Sequence, residues 1–218
     1  MIQRRRKKKI RVGNVEIGGD SPISVQSMTN TSTTDIEATV GQIHKLEDAG
    51  CEIIRIAVPD SEAAAAVRAI RDSITIPLIA DIHFDARLAV KAMENGADCI
   101  RINPGNLGGA EKVAMVVDAA LCHRVPIRVG VNSGSVEKDL LKKYGYPTAD
   151  NTDALIESAM RNVRLLEKYG FCDIKISIKS ADVLTTVNGY TQLSRITDYP
   201  LHLGVTEAGG LIAGTVKS

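Results

Sequence analysis

Short apolar runs rich in isoleucine and valine alternate along this chain with longer stretches of helical character. Seven runs have the length of a strand and lack strict polar alternation, as strands buried on both faces of a parallel sheet do. These runs occupy residues 23–28, 52–58, 77–82, 98–103, 126–132, 173–179 and 200–206. Helical stretches lie between them at residues 35–49, 61–72, 85–95, 110–123, 152–169 and 181–195. This order predicts an α/β fold with right-handed crossovers and one parallel sheet.

A short phrase recurs where a helical stretch gives way to a strand. The copies GCEIIRI, GADCIRI and GFCDIKI begin at Gly50, Gly96 and Gly170. Each glycine has the position of a left-handed helix cap. A basic residue follows five positions later in every copy, as Arg55, Arg101 and Lys175. We interpret the phrase as a repeated helix–turn–strand unit.

Eight such units close a barrel, and an open doubly wound sheet is the alternative. No G-x-G-x-x-G follows the first strand, which argues against a dinucleotide-binding sheet. A complete barrel takes about 250 residues, whereas this chain has 218 and ends in GLIAGTVKS, which has the character of a beginning helix. We therefore expect a TIM (β/α)8-type barrel, truncated after the seventh strand. It would occupy residues 21–218, after a basic arm and lead-in over residues 1–20.

The composition is that of a soluble globular protein, with 44% apolar residues, 24% charged residues and a net charge of +1. No run approaches the roughly 18–20 apolar residues of a membrane span, and the basic start lacks the apolar core of a secretory signal. Four dispersed cysteines without a C-x-x-C favour neither a disulfide framework nor a local metal motif, so we expect a cytoplasmic location. We interpret the basic run 4–9 as a solvated arm.

Polar side chains collect at the carboxyl ends of the predicted strands, where the active site of a parallel barrel lies. In chain order they are Arg55, Asp81, His83, Arg101, Asn103, Arg128, Asn132, Lys179, Thr206 and Glu207. Four cations at one mouth, beside glycine turns that expose backbone N–H groups, suit a phosphate or diphosphate. A structural ion pair is the alternative for Asp81, and a core histidine is the alternative for His83. Glu207 is the candidate acid, because burial would favour its protonated form.

The phrases around these residues resemble one family, the 4-hydroxy-3-methylbut-2-enyl diphosphate synthases of non-mevalonate isoprenoid biosynthesis (HMBPP synthases). They are VGNVEIGGDSPISVQSMTNT, GCEIIRIAVP, PLIADIHF, CIRINPGN, IRVGVNSGS, SIKSADV and PLHLGVTEAGG, in this order along the chain. The resemblance implies a TIM barrel that binds 2-C-methyl-D-erythritol 2,4-cyclodiphosphate. It also implies an oxidoreductase that opens this ring with two electrons from flavodoxin or ferredoxin.

The resemblance also assigns roles to individual residues. Substrate binding would fall to Arg55, Asp81, His83, Arg101, Asn103, Arg128, Asn132 and Lys179. Glu207 would be the catalytic acid beside the reacting carbon. The family that this chain resembles binds a [4Fe–4S] cluster through three cysteines and a glutamate of a C-terminal domain. In its homodimer, this domain of one subunit covers the barrel of the other. No cysteine here matches that motif, so we expect the chain to supply only the substrate barrel, without turnover.

Three other functions remain open. Another phosphate- or pterin-binding TIM-barrel enzyme, such as a dihydropteroate synthase, would need no iron–sulfur cluster. A truncated, non-catalytic diphosphate-binding module would fit an unclosed sheet, whose free edges invite pairing or aggregation. A nucleic-acid binder using the basic arm would show a steep salt dependence. The 3% aromatic content argues against this last function, so we expect neither a nucleic-acid nor a membrane partner.

Overall fold

The computed structural model describes residues 5–217, so Arg4 and the start of the predicted arm lie outside the described residues. The strands are β1 (Ile10–Val12), β2 (Val15–Ile17), β3 (Gln26–Met28), β4 (Ile53–Ala57), β5 (Leu78–Asp81), β6 (Cys99–Ile102), β7 (Ile127–Asn132) and β8 (Ile174–Lys179). The helices are α1 (Ile36–Asp48), α2 (Ser61–Asp72), α3 (Ala86–Glu94), α4 (Ala110–His123), α5 (Lys138–Tyr144), α6 (Asp153–Glu167), α7 (Val183–Ile196) and α8 (Leu211–Lys217). None of these helices has both the length and the apolar character needed to cross a bilayer.

Strands β3 to β8 form one parallel sheet in which the spatial order follows the chain. At least one helix lies in every crossover, as parallel neighbours require. The predicted α/β fold with a single parallel main sheet is thus confirmed. Six of the seven predicted strands are present, and the six predicted helices begin and end within two residues of their expected bounds. The beginning helix expected near the last residues is α8.

Alternate side chains of the sheet face two different apolar cores, because successive residues of a strand point to opposite faces. Ile54, Ile100 and Ile127 belong to the large core, which also holds the buried faces of the helices. On the inner face, a small cluster joins Ile53, Ile79 and Cys99 to Val12 of the first strand. The inner face is therefore apolar only near the beginnings of the strands.

The hairpin of β1 and β2 covers this end of the sheet. Val15 and Ile17 pack against the inner cluster. Gly13 turns the hairpin at φ +55°, and a Cβ there would lie 2.9 Å from Pro77 Cγ, just before β5. This close approach leaves room only for glycine. The lead-in thus forms a floor that covers the inner face of the sheet at the amino ends of its strands.

The arm before this hairpin is docked on the protein. Lys7 Nζ donates hydrogen bonds to the carbonyl oxygens of Ser194 and Thr197, each at 2.5 Å. The backbone N–H of Lys8 donates to Asp198 O at 2.6 Å. The interpretation of a solvated arm is therefore wrong at Lys7, because carbonyl groups at the end of α7 bind its amino group, whereas the side chain of Lys8 is exposed.

The seventh predicted strand, residues 200–206, is reduced to a single bridge between Ile176 and Leu201. Tyr190 of α7 explains the interruption. Its hydroxyl accepts a hydrogen bond from Ile178 N at 3.2 Å and donates one to His202 O. A continuous parallel ladder would join these two backbone groups directly. The hydroxyl therefore takes the place of the next ladder hydrogen bond and holds the segment away from β8.

Candidate functional site

The strand register brings charged residues of four neighbouring strands to one level of the inner face. Asp81 pairs with Arg101, Arg101 pairs with Arg128, and Arg128 pairs with Lys175. Arg55 adjoins this row from β4, because it forms an ion pair with Asp81. The sheet therefore gathers predicted site residues that lie far apart in the sequence.

Asp81 is the carboxylate of this row and is only 4% exposed. Arg101 Nη1 lies 3.2 Å from Oδ1, and Arg55 Nε lies 3.6 Å from Oδ2. The structural ion pair predicted as the alternative role of Asp81 is thus present, and its carboxylate pairs with two arginines, Arg55 and Arg101. His83 Nε2 lies 3.8 Å from the same carboxylate, but its ring is exposed. The alternative of a core histidine at position 83 is therefore wrong.

Arg101 reaches across β7 because position 130 is a glycine. Its Nη2 donates to Gly130 O at 3.1 Å, and a Cβ at position 130 would collide with the guanidinium group. Arg101 Nε is buried and has no hydrogen-bond partner among the residues that the structure describes. The guanidinium group of Arg101 is thus buried, and its Nε–H remains available to donate a hydrogen bond.

Arg128 is the most deeply buried of the predicted cations, with 1% of its surface exposed. Its Nε donates to Ser177 Oγ at 3.1 Å, whereas Nη1 finds no hydrogen-bond partner in residues 5–217. Burial, reinforced by Arg55 and Arg101, lowers the pKa of Arg128 to about 9, so the group stays charged at neutral pH. A buried charge without a counter-ion costs several kcal/mol. An anionic ligand would offset that cost.

A cavity of about 680 Å³ opens between β3, β8 and the segment that follows α7. Arg55 and Lys179 are the predicted site residues that line it, and the almost fully buried Lys175 lines it as well. Lys179 has no ion-pair partner among residues 5–217, and burial together with Arg128 lowers its pKa to about 8. His202 also lines the cavity, where burial and the surrounding cations hold its pKa far below the usual range. The imidazole is therefore neutral.

The turn after β6 presents Asn103 at the same end of the sheet. Asn103 is buried, and within the described part of the chain neither polar atom of its side chain has a hydrogen-bond partner. Asn162 of α6 holds the turn from below, since its Oδ1 accepts from Gly105 N at 2.6 Å and its Nδ2 donates to Ser158 O at 2.9 Å. Asn132 begins the next turn, where its N–H donates to Ser135 Oγ at 2.9 Å.

Glu207 is not brought into the buried part of the site. Its side chain is exposed, and its backbone has φ +52° between the 200–206 segment and α8. The expected burial of this carboxyl group is therefore wrong. Its catalytic role stays a prediction. Thr206 lies beside it and is tied to Ser180 O by a hydrogen bond of 3.4 Å from its N–H.

The cysteines do not fit an iron–sulfur cluster, which takes four ligands and usually four cysteine thiolates. Cys51 and Cys99 are buried, and Cys122 and Cys172 are exposed. Over residues 5–217, no group of three or more His, Cys, Asp or Glu side chains could hold a metal ion.

Sequence reasoning did not select three residues that shape the site. Ser177 binds Arg128, Tyr190 holds the cavity segment, and Lys175 lies inside the cavity. The repeated phrase contained a signal for Lys175, because it occupies the position of Arg55 and Arg101 in the other copies. Ser177 and Tyr190 have no comparable signal.

Comparison with known proteins gives one family and one fold. Residues 7–218 match the family described as the GcpE TIM-barrel domain. The protein named 4-hydroxy-3-methylbut-2-en-1-yl diphosphate synthase (flavodoxin) from Desulfotalea psychrophila is 73% identical over all 218 residues, which span 60% of that relative. The protein of the same name from Lawsonia intracellularis is 58% identical over 215 residues, 99% of this chain and 59% of the relative. The chain thus spans about 60% of the length of these relatives.

Solved structures of low identity share the fold alone. A type I 3-dehydroquinate dehydratase from Clostridium difficile superposes with a TM-score of 0.69 at 17% identity, over 97% of this chain and 84% of that one. A dihydropteroate synthase from Yersinia pestis gives a TM-score of 0.60 at 12% identity, over 90% and 74% of the two chains.

Proposed function

The chain belongs to the GcpE TIM-barrel domain family, and from this premise we propose that it is the substrate-binding barrel of an HMBPP synthase. The proposed substrate is 2-C-methyl-D-erythritol 2,4-cyclodiphosphate. The whole enzyme would open this ring with two electrons and two protons, giving 4-hydroxy-3-methylbut-2-enyl diphosphate and water. Within the proposal, residues 21–218 form the barrel and residues 1–20 form its lead-in.

The observation that carries the proposal is the uncompensated charge inside the barrel. Arg55 and Arg101 share one carboxylate, that of Asp81. Arg128 and Lys179 have no carboxylate partner among residues 5–217. A dianionic diphosphate would supply the missing counter-charges, and guanidinium groups suit its paired oxygens.

The chain's own part in the reaction would be to bind and orient the diphosphate. We assign substrate contacts to Arg55, Asp81, His83, Arg101, Asn103, Arg128, Asn132 and Lys179. Asn103 has the free donor and acceptor that such a contact needs. We assign to Glu207, at the exposed rim, the donation of the proton with which the hydroxyl group leaves as water.

The remaining components of the enzyme belong to the same proposal. A [4Fe–4S] cluster would supply the electrons when bound. Because the cysteines of this chain do not fit such a cluster, we propose that its ligands lie outside these 218 residues. Flavodoxin or ferredoxin would be the donor and a homodimer the assembly. We also propose a cytoplasmic location, which the four free thiols support.

Calorimetric titration with the cyclic diphosphate tests the proposal. We expect binding by the wild-type chain, and in Arg128→Met a loss of affinity of about 30-fold or more, equivalent to about 2 kcal/mol. Methionine keeps much of the buried volume, and a thermal unfolding curve verifies that the variant is folded. Arg164→Met is the matched control, because Arg164 is exposed on α6. Absence of binding by the folded wild type, or equal affinity of Arg128→Met, would contradict the proposal.

A further inference from the structure

Lys175 is a buried amine with no partner. It lies on β8 beside Arg128, and 1% of its surface is exposed. Its Nζ makes no hydrogen bond and no ion pair with the other residues described, yet the side chain lines the cavity. Burial lowers its pKa, and Arg128 lowers it further. The nearby Cys99 thiol offers no counter-charge, since burial raises its pKa and keeps it neutral.

A second unpartnered group lines the same cavity. Gln26 of β3 has its Oε1 buried without a hydrogen bond. Ile53, from the apolar cluster above the hairpin floor, pairs with Gln26 in the strand register and also lines the cavity. Lys175 precedes Lys179 by four residues, which is about 13 Å along a strand. Lys175 therefore lies below the mouth at which the diphosphate is proposed to bind, and Gln26, as the first residue of β3, lies at the amino end of the sheet.

We propose that Lys175 and Gln26 form a second oxyanion subsite at the floor of the cavity, of a size and chemistry suited to one phosphate group. Lysine offers a compact charge with three donors. The amide oxygen of Gln26 accepts from the hydroxyl of a hydrogen phosphate. A buried amine without a counter-ion is costly, and a bound anion removes that cost. The inference rests on the proposed function in that both use one cavity.

Inorganic phosphate is the probe, so the test is independent of the cyclic diphosphate titration. Phosphate affinity is measured for the wild type, Lys175→Met, Lys179→Met and Lys142→Met. We expect Lys175→Met to weaken phosphate binding at least tenfold and Lys179→Met to weaken it less. The exposed Lys142 control should remain within twofold of wild type. Without phosphate, Lys175→Met should also melt at a higher temperature than wild type, because an apolar side chain of similar length replaces the buried amine.

A chemical measurement on the wild-type chain covers the case in which Lys175→Met fails to fold. Lysines are methylated with formaldehyde and a borane reductant, with and without phosphate, and located by mass spectrometry. Phosphate should slow the methylation of Lys175 and leave that of Lys142 unchanged.

Wild-type affinity in folded Lys175→Met, or methylation of Lys175 that phosphate does not slow, would overturn the floor subsite. If the wild type binds the cyclic diphosphate but not phosphate, the subsite alone is overturned. If it binds phosphate through Lys175 but not the cyclic diphosphate, the proposed function alone is overturned.

Discussion

At the residue scale, we expect Lys179 to make binding of the proposed substrate sensitive to pH, because its pKa of about 8 lies close to neutral pH. The cyclic diphosphate keeps a constant charge between pH 7 and 9, since each phosphorus carries one strongly acidic hydroxyl group. The ammonium form of Lys179 dominates below pH 8 and attracts this dianion. We therefore expect affinity to be highest at pH 7 and to fall as the pH rises through 8. Calorimetry at pH 7 and pH 9 measures the change.

Lys179→Met is the control for this prediction, since it removes the titrating group and should flatten the pH dependence between 7 and 9. Stability should change in the opposite sense to affinity. The folded-state pKa of Lys179 lies below its unfolded value, so the unfolded chain binds more protons between about pH 8 and 10. The contribution of Lys179 to the free energy of unfolding therefore rises with pH in that window. Equal affinities of the wild type at pH 7 and 9 would contradict the assignment.

The sequence predicts which residues line the site better than it predicts how they pair. Arg55 and Arg101 follow from the repeated phrase, and Arg128 follows from its place in an apolar strand. The sharing of Asp81 by two arginines depends on the register of three strands. The crossing of Arg101 over Gly130 depends on the space that a missing side chain leaves. Neither relation has a local sequence signal.

At the scale of elements, Tyr190 couples α7 to the segment that forms one wall of the cavity. Its hydroxyl is the bridge between Ile178 N and His202 O. Tyr190→Phe would leave both buried backbone groups without this partner. An unsatisfied buried polar group costs about 1–3 kcal/mol, so we expect a loss of unfolding free energy of that order. Urea denaturation measures it.

Tyr146→Phe is the matched control, because Tyr146 is exposed and should change the stability by less than about 0.5 kcal/mol. If Tyr190→Phe is as stable as the wild type, the tyrosine bridge does not hold the segment. A compensating direct hydrogen bond from Ile178 N to His202 O would then extend the short bridge into a strand.

Elements that lie within an apolar run or a helical stretch of the sequence are predictable here, and elements outside such stretches are not. The six strands of the main sheet follow from apolar runs, and the helices between them from their spacing. Strands β1 and β2 have three residues each and, unlike the equally short β3, lie outside the seven apolar runs. Helix α5 has seven residues and only one buried side chain, Leu140, so it presents little apolar pattern. The prediction of a seventh strand is wrong for another reason, because the hydroxyl of Tyr190 takes the place of a ladder hydrogen bond between this segment and β8.

At the scale of the whole molecule, the described sheet has two ends that are not joined to each other. Strand β3 is one edge, and the short bridge at Leu201 extends the other. The cavity lies between them, and Ile23 and Leu203 line it with 83% and 69% of their surfaces exposed. The hairpin floor closes the sheet only at the amino ends of the strands. The open seam therefore combines free backbone groups with large apolar side chains, a combination that promotes association.

We expect these 218 residues, expressed alone, to self-associate through the seam as their concentration rises. Ile23→Lys with Leu203→Lys should shift the protein toward the monomer, because lysines at a sheet edge oppose pairing. Light scattering coupled to size exclusion measures the mass. Leu121→Lys is the matched control, since Leu121 is an exposed apolar residue of α4 outside the cavity. If the control dissociates the protein as well as the double variant does, association does not use the seam. The cyclic diphosphate should also favour the monomer, because it would occupy the cavity into which a second copy would insert.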